Sequence, residues 1–339
     1  MKILIVRNDK LGDFILSYPV YSLIKSSLPD CEIHVLVPAY THELAIANPM
    51  IDAVIEDPGS TATWTQQYHL FQNIRNQHYD VIITLFSTTR TGIIASLADI
   101  KYRLAPATKI AQIFYNHRLK QRRSRSLKPE FEYNLDLAKQ FLSDHGFDPG
   151  FQRKFPAIQF PSTEITSVRQ EFFSSFNLQP ESRLIFIHPG TGGSATNLSL
   201  EQYANLVRHL NLKTHDVIVI TAGPTETNTA NELSYLLGII PHIVYPSTKG
   251  LVYFAKVIQL CDLFISASTG PLHIAGALDR PTAAFYQRRR SATALRWQTL
   301  NSEERRLAFS PPSGAHESDL QQIDVVAAAN VINEKFLDT

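Results

Sequence analysis

Short apolar runs alternate with segments whose apolar residues recur at helical spacing in the first half of the chain. The runs predict strands at 2–6, 32–37, 53–55, 81–85 and 102–104. Helical spacing is typical of 14–27, 41–47, 64–77, 90–98 and 131–145. Strands that alternate with helices in this way predict a parallel, doubly wound sheet.

The second half repeats this alternation after a helix at 163–176. It predicts strands at 184–188, 217–221, 243–245, 263–266 and 282–286, and helices at 199–212, 226–237, 249–259 and 271–278. A last helical segment covers 319–337. We therefore expect a Rossmann-like domain at 1–160, a second at 161–318, and a C-terminal helix at 319–339 that is free to pack back on the first domain. A cleft between two such domains suits a transferase with two substrates.

Composition narrows the class of protein. The 339 residues are 44% hydrophobic and 19% charged, with a formal net charge of +1, so charge gives no general argument for binding nucleic acid. The two cysteines, Cys31 and Cys261, are far apart in sequence and suit a reducing compartment. No stretch approaches the roughly 18 apolar residues of a membrane span. We expect a cytoplasmic protein that is free to work at a membrane surface.

The polar segment 7–13 follows the first apolar run directly and precedes a helical segment. A strand, a short loop with one glycine and a helix open many nucleotide-handling α/β domains. Asp13 is therefore expected at the carboxyl end of a strand, where open α/β sheets bind ligands. A carboxylate there can accept a proton from a hydroxyl group, but aspartate is equally suited to capping a helix. Position alone leaves both interpretations open.

Two loops of the second half suit a nucleotide. The loop at 187–194 contains three glycines and two hydroxyl residues, among them Thr191 and Gly192, and such loops bind phosphate or serve as plain turns. The next loop carries Glu226 at the start of a helix. Its carboxylate can accept hydrogen bonds from the hydroxyl groups of a ribose, or it can simply interact favourably with the helix dipole.

The segment 266–277 is the strongest signal of the second half. A strand ends, Ser268, Thr269 and Gly270 turn the chain, and a proline begins a helix. The free N–H groups of that helix start suit an anionic diphosphate. His273 lies in the first turn and can approach the same oxygens, or it can be a buried core histidine.

A basic segment at 117–128 contains six lysines and arginines. We expect four of them, together with Lys10, to contact phosphates of an acceptor or anionic headgroups, with about 1 kcal/mol gained per cation near an anionic surface. The alternative is a solvated loop. The four cations of the segment are Arg118, Lys120, Arg122 and Arg123.

Taken together, these motifs resemble glycosyltransferase family 9, the family of the lipopolysaccharide heptosyltransferases. The resemblance rests on DKLGD at 9–13 with Pro19, on NPMID at 48–52, on HPG at 188–190 and on STGPLHIA at 268–275. It implies the GT-B fold, in which two Rossmann-like parallel-sheet domains face a cleft. It also implies an inverting transferase without a required metal or cofactor, a nucleotide-sugar donor such as ADP-heptose, and a lipid A–core acceptor at the cytoplasmic face of the inner membrane.

The resemblance also assigns roles. Asp13 matches the general base, which takes the proton of the acceptor hydroxyl as that oxygen attacks the anomeric carbon. Thr269, Gly270 and His273 match the loop that contacts the diphosphate, and Glu226 matches the ribose contact. The chain contains no Asp-x-Asp pair of the kind that holds a divalent ion under a diphosphate, which agrees with catalysis without a metal.

This sequence departs from the family pattern at two places. Ser268 stands where many members have an aspartate that holds hydroxyl groups of the donor sugar. Residues 196 and 197 stand where members often have a lysine after the His-Pro-Gly loop. Another cation would then meet the phosphates, and the sequence does not rank the candidates Lys10, Lys249 and Arg288.

Two other functions remain open at this point. A sugar-nucleotide epimerase of the same fold would change the donor without an acceptor, and a degenerate relative would bind nucleotide or glycan without turnover. A dinucleotide oxidoreductase is disfavoured because the first turn lacks Gly-x-Gly-x-x-Gly.

Overall fold

The computed structural model describes residues 1–108, 110–148, 150, 154–193 and 196–338. The chain divides into two compact units, Met1–Arg153 and Lys154–Thr339. Each unit has its own parallel sheet, so the prediction of two doubly wound α/β units is confirmed.

The sheet of the first unit has the order β3-β2-β1-β4-β5-β6, which is the Rossmann order. Its neighbouring strands pair in parallel. Successive strands are added toward one edge of the sheet from β1 to β3 and toward the other edge from β4 onward, so the order reverses between β1 and β4. Ligands of open α/β sheets bind at the carboxyl ends of the strands beside that point. The strands are β1 (Lys2–Val6), β2 (Glu32–Pro38), β3 (Ala53–Asp57), β4 (Val81–Thr84), β5 (Tyr102–Pro106) and β6 (His117–Leu119).

The helices of the first unit follow the predicted positions with one difference. The single helix expected at 14–27 is two helices, because Pro19 lies in the first turn of the second and disfavours helical continuation from the residues before it. The helices are α1 (Leu11–Ile15), α2 (Tyr18–Ser27), α3 (Ala39–Ile46), α4 (Trp64–Asn76), α5 (Thr89–Leu97) and α6 (Glu130–Asp144).

The second unit repeats the Rossmann order, with the sheet β12-β11-β10-β7-β8-β9. The reversal lies between β7 and β10, so the loops after those two strands start beside each other. Two short strands at the sheet edges, β6 and β12, were not predicted from the sequence. The strands are β7 (Arg183–His188), β8 (Asp216–Ala222), β9 (His242–Pro246), β10 (Leu263–Ala267), β11 (Thr282–Phe285) and β12 (Arg306–Phe309).

The predicted helical segment at 319–337 is made of three stretches rather than one helix: a 3₁₀ turn at Leu320–Gln322, an α-helix that begins at Val325, and a π-helical turn at Asn333–Leu337. Asp324 accepts hydrogen bonds from the N–H groups of Val326 and Ala327, both over 3.0 Å, and so caps a new helix start within 319–337. The helices are α7 (Ser162–Ser175), α8 (Leu200–Arg208), α9 (Thr227–Leu237), α10 (Leu251–Ile258), α11 (Gly270–Ala277) and α12 (Val325–Ile332).

Both ends of the second unit differ from the expected domain bounds. The N–H groups of Ala157 and Ile158 donate to the carbonyl of Ala277 over 2.7 and 2.9 Å, which ties the segment before 161 to this unit. Ala329 and Ile332 of α12 are buried in the core that β7 and β8 also form. The apolar face of α12 therefore belongs to the core of the second unit.

Candidate active site

Arg7 lies directly after β1 and is among the largest fully buried side chains. Its Nη2 donates to Oδ1 of Asp13, and its Nε lies 2.9 Å from Oδ1 of Asp9. A buried guanidinium is costly unless carboxylates and hydrogen bonds compensate its charge. Arg7 therefore holds both acids of the segment 8–13 that follows β1.

Helix α6 supplies the other partners of Arg7. Nη1 of Arg7 lies 3.4 Å from Oε1 of Glu130 and donates to Oδ1 of Asn134 over 3.2 Å. Glu130 and Asn134 are four residues apart, so they lie on the same side of the helix. Asn134 also donates through Nδ2 to the carbonyl of Leu16 over 3.2 Å. Two side chains of α6 thus connect the end of β1 to the end of α1.

Arg123 enters the same network. Its Nη1 donates to Oε1 of Glu130 over 2.8 Å and to the carbonyl of Leu85 over 3.0 Å, and its Nε donates to Gln121 over 2.8 Å. Arg123 was expected to be one of the cations that contact phosphates of an acceptor or anionic headgroups. In the structure it is engaged with Glu130, because the turn before α6 directs it inward.

The resulting cluster has more acids than bases. Asp9, Asp13 and Glu130 surround Arg7 and Arg123, all with side chains at most 15% exposed. Burial raises the pKa of Asp13 to about 7; Arg7 opposes this shift, while Asp9 and Glu130 add to it. Burial also raises the pKa of Asp9. The cluster therefore exchanges a proton close to neutral pH.

Asp13 does not act as a helix cap. Helix α1 begins at Leu11, with Lys10 at the cap position and no capping hydrogen bond from its side chain. Asp13 lies inside the first turn, and its side chain contacts Arg7. A buried carboxyl group that is held in place and titrates near neutral pH has the properties required of a general base.

A second polar cluster lies at the ends of β1, β3 and β4. Asp57 accepts hydrogen bonds from the side chains of Asn8 and Arg90, and from the N–H of Gly59 over 2.8 Å. Arg90 also donates to Gln67 over 3.1 Å. This cluster fixes the loop beside Asp9, and sequence reasoning did not identify it.

Glu226 connects two loops of the second unit. Its carboxylate accepts hydrogen bonds from the N–H of Gly192 over 2.7 Å and from the N–H of Gly223 over 3.0 Å. The ring of His188 lies beside it, with Nε2 3.5 Å from Oε2, and burial lowers the pKa of this histidine. The expected ribose contact is therefore already held in place by the loops that follow β7 and β8.

Two glycines shape the loop around this carboxylate. A Cβ at Gly190 would collide with the carboxyl group of Glu226. Gly192 has a φ of +52°, in the left-handed region that disfavours other residues. The glycine loop is therefore shaped around Glu226, and Thr191 lies within it between these two glycines. Ser194, the last residue of the motif, lies outside the described residues.

Thr269 caps α11, as the strand–turn–helix pattern predicts. Its hydroxyl accepts from the N–H of Leu272 over 3.4 Å and lies 3.0 Å from the hydroxyl of Ser266. Ser268 and Gly270, on either side of Thr269, are both partly exposed. A helix start with small residues leaves room for an anion at its N–H groups.

His273 lies one turn into α11 and is 3% exposed. Burial lowers its pKa to about 4, so the ring is neutral at physiological pH. Nδ1 has no hydrogen-bond partner among the residues described here. The ring contacts Trp297 edge-on at 6.5 Å between centroids. A buried polar atom in this state costs free energy, which a ligand can recover by bonding to it.

The two residues at the place of the missing lysine are structural. Asn197 accepts from the hydroxyl of Tyr203 over 2.7 Å and donates to the carbonyl of Pro189. Thr196 accepts from Nε2 of Gln287 over 2.5 Å. These bonds link the loop after β7 to the end of β11. Neither residue is charged, so a cation that meets the phosphates must come from another residue.

The three residues that could supply a cation to the phosphates lie at different places in the structure. Arg288 follows β11, beside β10 in the sheet, and donates to the carbonyl of Pro312 over 2.7 Å. Lys249 follows β9 at the far edge and pairs with Glu171. Lys10 is an exposed residue of the first unit. Arg288 therefore lies nearest in the sheet to the Thr269 loop.

Three of the four cations of the basic segment that were expected to contact phosphates lie at the surface. Arg118 belongs to the edge strand β6, and Lys120 and Arg122 follow it, all exposed. The segment is therefore neither one continuous loop nor a uniform charged surface, because its strand and Arg123 are built into the unit.

Within the described part of the chain, no group of three or more potential ligand residues is placed to hold a metal ion. Nor does any helix in that part have the length and apolarity to cross a membrane.

The second unit brings its predicted residues together. Glu226, the glycine loop and the Thr269 loop follow β8, β7 and β10, which are adjacent in the sheet. Sequence reasoning missed the partners of Asp13. Arg7 was visible as a charge at the end of an apolar strand, but nothing local indicates Glu130 or Asn134.

Comparison with known proteins shows which family has this arrangement of strands and loops. The profile of glycosyltransferase family 9 (heptosyltransferase) matches residues 67–306. A provisionally named glycosyltransferase of Haemophilus influenzae is 43% identical over 98% of this chain and 95% of its own length. Lipopolysaccharide heptosyltransferase 2 of Salmonella typhimurium is 23% identical over 84% of this chain and 82% of its own.

Solved structures agree with the sequence relatives. The structure of the ADP-heptose lipopolysaccharide heptosyltransferase II of Escherichia coli matches with a TM-score of 0.73 and 19% identity, over 98% of this chain and 99% of that one. The chain belongs to glycosyltransferase family 9. It is a glycosyltransferase, and its two parallel sheets have the GT-B architecture.

Proposed function

We propose that this protein is an inverting transferase that moves a heptose from ADP-heptose to the lipopolysaccharide core or a related surface glycan. Two of the three relatives named above support this choice, since they are heptosyltransferases of lipopolysaccharide and one is named for ADP-heptose. The observation that carries the proposal is the buried Asp13, held by Arg7 at the carboxyl end of β1.

Asp13 acts as the general base. It takes the proton of an acceptor hydroxyl while that oxygen forms a bond to the anomeric carbon of the donor. The bond from that carbon to the diphosphate breaks on the opposite face, and the electron pair leaves with the diphosphate. A positioned base of this kind contributes on the order of 10²–10⁴ to the rate.

The second unit holds the donor. The N–H groups at the start of α11 and the neutral ring of His273 receive the diphosphate, and Arg288 supplies a cation beside them. Glu226 accepts the ribose hydroxyls, and the loop of Thr191 and Gly192 closes against the nucleotide. These groups stabilise the leaving charge, so no metal ion or other cofactor is part of the proposal.

The first unit holds the glycolipid acceptor at the cytoplasmic face of the inner membrane. Arg118, Lys120 and Arg122 are exposed cations that suit the phosphates of the acceptor or anionic lipids, with Lys10 as a further contact. Exposed aliphatic side chains precede them in the chain: Ile110 and Ile113 are 73% and 66% exposed. Apolar and basic residues in one segment support peripheral contact with an anionic membrane.

A substrate panel tests the proposal. Purified protein is incubated with ADP-, UDP-, GDP- and CMP-sugars and with core glycolipids of successive truncation, and mass spectrometry detects the added sugar. We expect one added heptose from the ADP-linked donor. Inversion is read from the anomeric configuration of the product by NMR.

Reactions without acceptor provide the control. An epimerase would change the donor there, whereas the proposed transferase leaves it largely intact. Donor binding without any product across the panel would contradict the proposal and favour a binding protein that has lost turnover.

A further inference from the structure

Glu130 is a buried acid with no direct place in the proposed chemistry. It is the first residue of α6, and its side chain is 2% exposed. Its Oε1 lies 2.8 Å from Nη1 of Arg123 and 3.4 Å from Nη1 of Arg7. Burial of three charges together is costly, and a well-packed apolar replacement is often no less stable. The arrangement therefore calls for a reason besides stability.

The guanidinium of Arg7 is shared between Glu130 and Asp13. Nη1 faces Glu130 and Asn134 on α6, while Nη2 donates to Asp13. The guanidinium is planar and rigid, so fixing one nitrogen fixes the direction of the other. The partners on α6 therefore determine where Arg7 holds the Asp13 carboxyl group.

We propose that Glu130 is a positioning residue for glycosyl transfer, which with Asn134 orients Arg7 and thereby holds Asp13 in place. This inference rests on the proposed role of Asp13 as the base. Glu130 has a second effect through its charge, because it pairs with the same guanidinium as Asp9 and Asp13 and so weakens the attraction between Arg7 and those two carboxylates.

The charge effect has a definite sign. Glu130 favours the protonated form of Asp13, whereas Arg7 and Arg123 carry the opposing positive charge. Removing the charge of Glu130 leaves Arg7 more available to Asp13, so the pKa of Asp13 falls. Among the described residues, charged or titratable groups face Asp13 and its partners from the segment after β1, from α2, from α3, from α6 and from the turn before α6: Arg7, Asp9, Tyr21, Tyr40, Glu130 and Arg123.

Carboxyl ¹³C NMR of the full-length protein measures this effect without substrate. The Asp13 resonance is assigned by its loss in Asp13→Asn and is titrated in the wild type, in Glu130→Gln and in the control Glu132→Gln. Glu132 is a half-buried acid of the same helix outside the Arg7 contacts. We expect the pKa of Asp13 to fall by about one unit in Glu130→Gln, the scale of a nearby charge, and to stay unchanged in Glu132→Gln.

Steady-state kinetics measures the positioning effect. We expect Glu130→Gln to lower kcat about tenfold, a part of the contribution of a positioned base, with the KM for donor unchanged. The rising limb of the pH–rate profile of Glu130→Gln shifts to lower pH, following the pKa of Asp13. Glu130→Asp restores the charge and so recovers the wild-type limb.

Asn134→Ser provides a second test if Glu130→Gln does not fold. It removes an Arg7 partner without changing the charge, so kcat falls while the pH limb stays in place. A folded Glu130→Gln protein with an unchanged Asp13 pKa and unchanged kcat overturns the inference. A shifted pKa together with no transfer by the wild type instead overturns the proposed function and leaves the coupling of the two acids intact.

Discussion

Nη2 of Arg7 donates to Oδ1 of Asp13, and both groups are buried at the carboxyl end of β1. The pair is not balanced, because Asp9 and Glu130 compete for the same guanidinium. Asp13 is therefore held firmly and yet titrates close to neutral pH, at a pKa of about 7. A free carboxylate at the surface would be as mobile as its neighbours and too weak a base.

Replacement of Asp13 by asparagine is expected to raise the free energy of unfolding, relative to that of the wild type, as the pH rises from about 4 to about 7. The pKa of Asp13 is about 7 in the folded protein and about 3.9 in an unfolded chain. Between these values the folded state binds more protons, so the free energy of unfolding of the wild type falls as pH rises and then stays constant. Asparagine carries no such penalty.

Thermal unfolding at a series of pH values checks this. The melting temperature of Asp13→Asn, relative to the wild type, should rise by a few degrees from pH 4.5 to 7.5 and then remain level. A constant difference over this interval would show that Asp13 is not protonated in the folded state at acidic pH.

The pH dependence of kcat/KM is expected to show one rising limb near pH 7. A base must lose its proton before it can act, so the rate increases with pH through the pKa of Asp13. His273 adds no limb at neutral pH, because burial lowers its pKa to about 4. Initial rates from pH 5 to 9 in constant ionic strength measure this profile, and a falling limb near pH 6.5 would assign an acidic role to a histidine.

Arg123 and its neighbour Arg122 are expected to respond differently to alanine. Arg123→Ala leaves Glu130 with one of its two guanidiniums, and such a loss costs about 3–5 kcal/mol in a buried pair. Arg122 is exposed, so Arg122→Ala changes the free energy of unfolding by about 0.5 kcal/mol or less.

Chemical denaturation of the two alanine variants measures both values. Kinetics on the same samples separates function from stability, since Arg122→Ala should raise the KM for a phosphorylated acceptor. Equal stability of the two variants would contradict the inward placement of Arg123.

Gly190→Ala is expected to weaken donor binding. The added methyl group collides with the Glu226 carboxyl group, which must then leave the N–H groups of Gly192 and Gly223. Gly150→Ala is the control, because a Cβ there meets no atom closer than 4.0 Å. Calorimetric titration with ADP should show at least tenfold weaker binding for Gly190→Ala alone, about 1.4 kcal/mol. Equal affinities would remove Glu226 from the nucleotide site.

The local patterns of the chain predicted most of the fold. Apolar runs identified the central strands, and the motifs at their carboxyl ends predicted helix starts at Glu226 and Thr269, whereas Asp13 lies inside the first turn of α1. Those signals are local, because a buried parallel strand is continuously apolar and a loop glycine follows it directly. The short edge strands β6 and β12 lack such a run, since edges are less buried.

The partners of Asp13 were beyond sequence reasoning for a different reason. Arg7 and Glu130 are 123 positions apart, and Glu130 lies in a segment that reads as the start of an ordinary amphipathic helix. Arg123 likewise reads as one cation among six. Only the contacts of Glu130 and Asn134 with Arg7 in the folded protein show which charges meet.

The most direct test compares single-turnover transfer by the wild type and by Asp13→Asn. Both proteins are saturated with the donor found by the substrate panel, and donor affinity is measured separately by calorimetry. We expect Asp13→Asn to bind the donor as the wild type does and to transfer at least about 10² times more slowly, as expected when a general base is lost. Equal transfer rates for the two proteins would contradict the assignment of Asp13 as the base.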